Sequence, residues 1–546
     1  MSQHESAAGN SSPEFAEAVE RDPAIETGLG TSGALPDATD FLSSVLQETS
    51  GDEAGRSAPL SAFLAEESPA KAIEIWLGRL LSAERDDANA IAIRLNRDVA
   101  VIDGLLNQQL NEILHHPKFQ KLESSWRGIK YLHHVLVREY DPAGPDVKIK
   151  ILDASWADLA KDFESAYSIE QSSLFYKVYE QEFGQAGGEP FGLLIGDYQI
   201  QPPGTATHQQ DDYSILTSIA SVAASAFSPF VTNASPAQFQ LPEFGELEEL
   251  QDLTDAFKGP GAVRWQSLCQ KEDSRFIGLA MPHILMRVPY EDRPDATLAR
   301  KQQRSGPLDN RLNEFCFRED VRGPDTSKYL WGGAAFAFAG VVMRSFCRTG
   351  WLTDIRGVDR NDDGGGLVSD LPIEYNATDT NGVSPKISTD VIITDQTEKE
   401  LTDLGFIPLC SCYDTGFNAF YSARSIQKPA KYDDDLANMN AHVSTMLYTM
   451  LCASRFAHYL KSIGRDMVGR SADASQIERE LQNWIIQFVT DPSASTAVKS
   501  RYPLAAANVS VKPAPGRSGV FRSVFHLQPH YEIEGLSASI RLVTEI

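Results

Sequence analysis

The stretch FGLLIGDYQIQPPGTATHQQDDYSILTSIASVAASAFSPFV, residues 191–231, reads as strand, helix and strand. Phe191–Ile195 is a continuous apolar run closed by Gly196-Asp197, the pattern of a strand buried on both faces. Residues 212–226 predict a helix of small residues, and Pro229-Phe230-Val231 starts a second extended piece. FIGLAM, residues 276–281, repeats the buried-strand pattern. Strands alternating with helices predict an α/β core with a largely parallel sheet.

Working outward, VKIKIL (Val147–Leu152) predicts a further strand, followed by a helix carrying Trp156, Leu159 and Phe163. Upstream, Ile102, Leu105, Leu106, Leu110, Ile113 and Leu114 share one helical face, and Pro117 ends that helix. Phe119, Leu122, Trp126, Ile129 and Leu132 share a face of the next. The two read as a helical hairpin that needs a surface to pack on. Tyr329–Met343 (YLWGGAAFAFAGVVM) is shorter than the ~20 apolar residues a membrane span needs, so it predicts a tightly packed core helix. Val391–Ile393 predicts a strand, residues 407–412 and 417–421 a β pair, residues 433–463 the longest helix, and residues 475–489 another with Ile477, Leu481, Trp484, Ile485 and Phe488 inward. The last forty residues turn to strands: Asn508–Lys512, Val520–Leu527 and Leu536–Val543. Such strands either edge the main sheet or exchange with another chain.

Residues 1–70 differ, with thirteen acids, two bases and a net charge of −11. Such a composition predicts a largely disordered tail. Within it Asp40 heads a short apolar stripe (Phe41, Leu42, Val45, Leu46) that is either inert or folds against a partner. The whole chain of 546 residues carries −26, which disfavours nucleic acid and anionic membranes. No basic start precedes an apolar leader, and the six cysteines form no short-spaced quartet, so the reading is cytoplasmic. Cys410 and Cys412 fall on one strand face and read as a buried reduced pair.

Motifs for chemistry are few. Asp359, Asn361, Asp363, Gly364 and Asp370 match the spacing of a calcium loop, but Gly366 stands where an apolar residue belongs and a strand-like WLTDIRG precedes it. An acidic surface loop is the reading favoured over a calcium-dependent enzyme. His115-His116 and His133-His134 lack a metal-ligand spacing and read as solvated or capping. No GxxxxGK[ST], GxGxxG, GxSxG or HExxH is present, so no enzyme class, cofactor or metal is indicated.

Seven blocks resemble the large sheath subunit of the type VI secretion system, the TssC/VipB (EvpB/ImpC) family. They are residues 106–132, with Trp126-Arg127-Gly128, then 173–200, 265–290, 327–339, 394–410, 453–469 and 525–543, in family order. The resemblance implies a sheath-protein α/β fold with mixed sheets flanked by helices. It divides the chain into an acidic tail (1–70), a helical region packing with the small sheath subunit (71–140), a core of two subdomains (141–505) and a β-rich interlacing segment (506–546). It implies a structural, non-catalytic role. The expected partners are the small subunit, further copies in a helical sheath, the inner tube protein, the baseplate and a recycling AAA+ ATPase reached mainly through the small subunit. On this reading Val509, Val511, Val520, Val524 and Leu527 are candidate interface strand positions; separately, the helix at 475–489, with Glu478 and Glu480, is the surface expected to face the inner tube. The chain departs from the family at His283, often Asn, at Glu291, often Gly, and in the acidity of 358–370, which leaves an accessory or baseplate-binding paralogue as the alternative.

Overall fold

The computed structural model describes residues 65–68, 71, 72, 75 and 88–545, apart from 186, 204–209, 251, 292–314, 322–324, 359–363, 374–386, 413–414, 469–473, 514–520 and 531–539. The acidic tail up to residue 64, with its Phe41–Leu46 stripe, lies outside these residues, as do Asp359, Asn361, Asp363 and Val520. After a helical stretch at 71, 72 and 75 come α1 (Ala88–Leu114) and α2 (Pro117–Glu139). Pro117 does not end α1, which stops at Leu114; it opens α2 at its first turn, where a missing N–H leaves nothing unsatisfied. The predicted strand 147–152 forms no ladder and runs as irregular chain into α3 (Trp156–Ser165), which Ser155 and Asp158 start with a reciprocal capping box.

The central sheet follows the predicted alternation, displaced by a few residues. Strand β1 covers Leu194–Ile200, running through Gly196-Asp197 rather than stopping there. Glycine is required at 196 because a Cβ there would lie 2.6 Å from the Phe230 ring. Helix α4 (Asp212–Ala226) returns the chain to β2 (Phe230–Ala234), and α5 (Val263–Cys269) precedes β3 (Ile277–Met281). Beyond β3, β4 (His283–Leu285) pairs antiparallel with β5 (Trp331–Gly333), which leads into α6 (Ala334–Thr349). Then come β6 (Leu367–Val368), α7 (Asp395–Leu404), β7 (Phe406–Pro408), β8 (Cys410–Ser411) and β9 (Asn418–Ala419). The main sheet has the order β1-β2-β3-β7, all parallel, and β6-β9-β8 form a small antiparallel sheet. Alternation along β3 divides two cores. Ile277, Leu279 and Met281 join Leu216, Ile219, Phe239 and Phe406 on one face, while Ala280 joins Val231, Phe338 and Ile407 on the other.

Helix α6 is buried nearly all round, as its even spread of Gly, Ala, Val and Phe requires. Small residues let its neighbours close in. A Cβ on Gly128 of α2 would come within 2.5 Å of Phe336, and one on Gly333 within 2.2 Å of the Asn233 amide. Asn233 of β2 uses that space to accept the Ala335 N–H at 2.9 Å, satisfying an otherwise orphaned donor of the first turn.

The expected helix over 433–463 is two, α8 (Asp435–Ser444) and α9 (Leu447–Val468). The break is caused by backbone pairing: Ser425 N–H donates to Thr445 O at 2.8 Å and Leu447 N–H to Ala423 O at 2.9 Å. Helix α10 (Ala474–Ile485) then packs with α9 on an antiparallel sheet of β10 (Leu504–Pro513), β11 (Phe521–Pro529) and β12 (Ile540–Glu545), in the order β10-β11-β12. Trp351, Phe456, Leu460, Ile477, Leu481, Val509, Phe525 and Leu527 form one core there, so helices and tail strands share it.

The α2–α6 contact sets a test. Gly128→Ala forces a methyl into the Phe336 ring and is expected to cost roughly 1–3 kcal/mol, the range for overpacking a core. Thermal unfolding of the variant against wild type reads it; an unchanged midpoint would show that the ring yields freely.

Candidate assembly interface

The hairpin α1–α2 is apolar on more than its packed side. Ser124, Gly128, Leu132 and Val135 of α2 face inward, whereas Trp126 is 63 % exposed and Leu122 is exposed beside it in sequence. On α1, Val101, Ile102, Leu105 and Leu106 are all exposed, Leu105 by 62 %. The apolar residues named from sequence therefore do form faces, but much of that area meets solvent in the isolated chain. Exposed apolar side chains grouped on a helix face are candidates for an interaction site.

What holds α1 to the body is polar. Asn107, Asn111 and His115, spaced by one turn, face residues 318–320. Asn107 Oδ1 accepts Arg318 N–H at 3.0 Å, Asn111 Oδ1 accepts Asp320 N–H at 2.8 Å, and His115 Nε2 lies 3.3 Å from Glu319 Oε1. Glu319 is buried and forked onto Arg287 at 2.5 and 3.0 Å, and it accepts the Tyr290 N–H at 2.8 Å. Arg287 also reaches Glu123 of α2 at 2.9 Å. Burial alone would raise the Glu319 carboxyl, but hydrogen bonds from His115, Arg287 and Tyr290, with the Arg287 charge, bring it down to about 2. Sequence reading missed this clamp. The Asn-x3-Asn-x3-His period on α1 was a visible signal, but its partners lie some two hundred residues away.

The most enzyme-like pair is His283 and Asp390, joined through Nδ1 at 2.8 Å. The other ring nitrogen meets the Gln199 amide at 2.8 Å, the Phe244 ring packs on the imidazole, and Asp390 also accepts the His283 N–H. Nε2 faces an amide, not a hydroxyl or thiol, so the pair pins β4 to the 388–390 segment and to β1.

At the C-terminus, Val509, Val511 and Leu527 point into the core under α10, and Val524 is half-buried on β11. β11 lies between β10 and β12, so the sheet edges belong to the outer two. Helix α10 covers the β10 edge with side chains. Gln482 accepts Val509 N–H at 2.8 Å and donates to Ala507 O at 3.1 Å, and Glu478 accepts Val511 N–H at 2.8 Å. Glu480 is exposed and accepts from Gln476 at 3.3 Å.

Comparison with known proteins now decides the family. Residues 96–427 match the VipB family model, the EvpB-type tail sheath N-terminal domain, and residues 436–546 match the tail sheath gpW/gp25-like domain. A curated relative, the type VI secretion system sheath protein TssC1 of Pseudomonas aeruginosa, is 40 % identical over 454 residues, 82 % of this chain and 85 % of the relative. The chain belongs to the VipB/TssC family of type VI secretion sheath large subunits.

The body of this VipB/TssC protein is α/β, with both parallel and antiparallel sheets, as the sheath resemblance implies. No cluster of potential metal ligands occurs among the described residues, and Asp370, the last position of the calcium-like spacing, is ion-paired with Arg138 of α2. Among the paired histidines, His115 is part of the α1 clamp. Cys410 is buried, whereas Cys412 lies past the end of β8, half-buried, its Sγ 3.9 Å from the Tyr421 hydroxyl, so the two thiols do not share one buried face. No described helix is long and apolar enough to cross a membrane.

Two tests follow from this geometry. The Glu319 carboxyl titrates near 2 in the folded chain against an ordinary value of 4.5, so its contribution is complete above pH 4.5 and lost as pH falls toward 2. That contribution is on the order of 3 kcal/mol. Urea unfolding of wild type and Glu319→Gln between pH 6 and 2 should show a slope that the variant lacks; parallel curves would refute it. Glu478→Ala with Gln482→Ala leaves the Val509 and Val511 amides uncapped and should lower stability by about 1–3 kcal/mol. Hydrogen exchange at those two amides should accelerate; unchanged exchange would show that water replaces the side chains without loss.

Proposed function

We propose that this chain is the structural large subunit of a contractile type VI secretion sheath. It co-assembles with a small sheath subunit into a helical tube around an inner tube, and contraction drives that tube into a target cell. The single observation that carries the reading is the exposed apolar face of α1 and α2, displayed by a chain whose family is a sheath family. Val101, Ile102, Leu105, Leu106, Leu122 and Trp126 are the residues a small subunit would cover. The polar clamp on Glu319 supports the same role, because it holds the hairpin in place while leaving that face outward.

Residues 71–140 on this reading form the small-subunit docking region. Residues 506–546, with Val509, Val511, Val520, Val524 and Leu527, form the strands through which further copies are joined. Because the Val509, Val511 and Leu527 side chains are buried, their part is to shape the sheet while backbone edges make the link. Glu480 is the candidate for contact with the inner tube, and Glu478 for supporting β10 behind it. The baseplate and a recycling AAA+ ATPase, reached mainly through the small subunit, complete the partner set. The role is non-catalytic and cytoplasmic, without cofactor. A sheath-like accessory that binds the baseplate is the second reading, favoured by His283 standing where the resembled family often has Asn.

Co-expression with the cognate small subunit, viewed by negative-stain microscopy, tests the reading. Long hollow striated tubes are expected from wild type, and loss of tubes from Leu105→Glu with Trp126→Glu while circular dichroism stays that of the wild type. Discrete particles from wild type, under conditions in which a control sheath forms tubes, would favour the accessory instead.

A further inference from the structure

The segment Val147–Leu152 (VKIKIL) has every property of a β-strand except a sheet. Its β-branched residues alternate with lysines, the composition and period of a half-buried strand. It runs between the turn and bend at 142–144 and α3 without a further turn, bend or ladder. Among the described residues, no backbone N–H or C=O from Val147 to Asp153 has a hydrogen-bond partner. It does not float free of the body, however. Lys148 is ion-paired with Glu189 at 2.5 Å and Lys150 with Glu182, and just beyond it the Tyr198 hydroxyl donates to Ala154 O at 2.6 Å. Lysines two apart are thus tied down on one side. Ile149 and Ile151, on the opposite side by alternation, are 41 % and 65 % exposed, and Leu152 is 50 % exposed.

We propose that Val147–Leu152 is a built-in acceptor for an extended strand of a different polypeptide, paired main chain to main chain, with that strand's apolar side chains covering Ile149 and Ile151. This internal site is separate from the C-terminal strands, and it rests on the sheath reading for the existence of a co-assembling partner. Three observations choose the occupant. First, the long strands of this chain are already engaged: β1, β2 and β3 in the parallel sheet and β10, β11 and β12 with one another. Second, the acidic residues 1–70 contain no alternating β-branched run that would supply one. Third, antiparallel pairing with the same segment of a second copy is disfavoured. Registers that set both isoleucines opposite an apolar residue put Lys148 opposite Lys150, or Lys150 opposite itself, and like charges directly opposite destabilise a pair. A strand from the small subunit meets none of these objections. The lysines, held by Glu182 and Glu189, fix the backbone in place beforehand, which lowers the ordering cost of pairing.

Main-chain pairing has a signature that side-chain packing lacks. Proline removes one N–H, and along a strand only alternate N–H groups face a given neighbour. The experiment uses the full chain co-expressed with the small subunit and compares Ile149→Pro and Ile151→Pro with Lys148→Pro and Lys150→Pro, each against alanine at the same position. Relative to alanine at the same position, which cancels the lost side chain, one alternate pair of proline variants should lose at least about a further tenfold of the co-purified small subunit and the other should match its alanine counterparts. The two isoleucine variants should melt like wild type because no internal backbone hydrogen bond is broken. In the wild-type complex, amides 147–153 should exchange much more slowly than in the chain alone. Equal recovery of the partner by all four variants, or amides in the complex that exchange as fast as an unstructured peptide, would overturn the proposal. Protection that grows with concentration in the chain alone would also overturn it, by naming a second copy as the occupant. If wild type itself recruits no small subunit, the sheath reading fails first, and that outcome is distinct from every one above.

Discussion

The structure depends on how closely α6 is approached from all sides. A helix buried nearly all round must have partners shaped to it, and the chain meets that demand with glycine at Gly128, Gly333 and Gly340, each facing an aromatic ring or an amide at a distance no Cβ would allow. The Asn233 side chain then reaches into the first turn of α6 and ties β2 to it. Through Gly128 the same helix positions α2, and through α2 the whole N-terminal hairpin. Arg344, buried on α6, donates to the Gly365 and Leu367 carbonyls at 2.6 Å each and so sets the start of the small antiparallel sheet. Sheet, hairpin and loop are therefore all referred to one axis.

The hairpin shows how two kinds of force divide the work. Apolar packing of α2 on α6 gives adhesion, while the stripe Asn107, Asn111 and His115, with Glu319 and Arg287, gives orientation. Buried ion pairs are seldom a net source of stability, but breaking one by deleting a single partner is costly. A clamp of that sort suits a helix that must keep a fixed aspect while its apolar side awaits a neighbour.

Much of the fold was legible in the sequence. Continuous apolar runs at 191–195 and 276–281 announced the parallel sheet, and the Gly/Ala run at 329–343 announced a buried helix, because both patterns arise from burial on all faces. Boundaries were less legible where tertiary contact overrides local signals. Gly196-Asp197 reads as a stop, yet the strand continues because Phe230 occupies the space a side chain would need. Residues 433–463 read as one helix, yet Ser425 and Ala423 claim the backbone at the break. VKIKIL reads as a strand and has the chemistry of one, but a strand is a relation between two segments, and no described segment pairs with it. The candidate site was legible as apolar periodicity on α1 and α2 and illegible as geometry. Which side of each helix meets the body is decided by residues 287 and 319, far along the chain. Glu478 was read as a surface charge because nothing local shows that Val511 lies beneath it.

The capping of β10 by Gln482 and Glu478 has a consequence for architecture. A sheet closed along one margin and carrying β12 on the other has a direction, as a one-way street has. The margin left for lengthening is β12, so a strand that another chain adds to this sheet has one place to go.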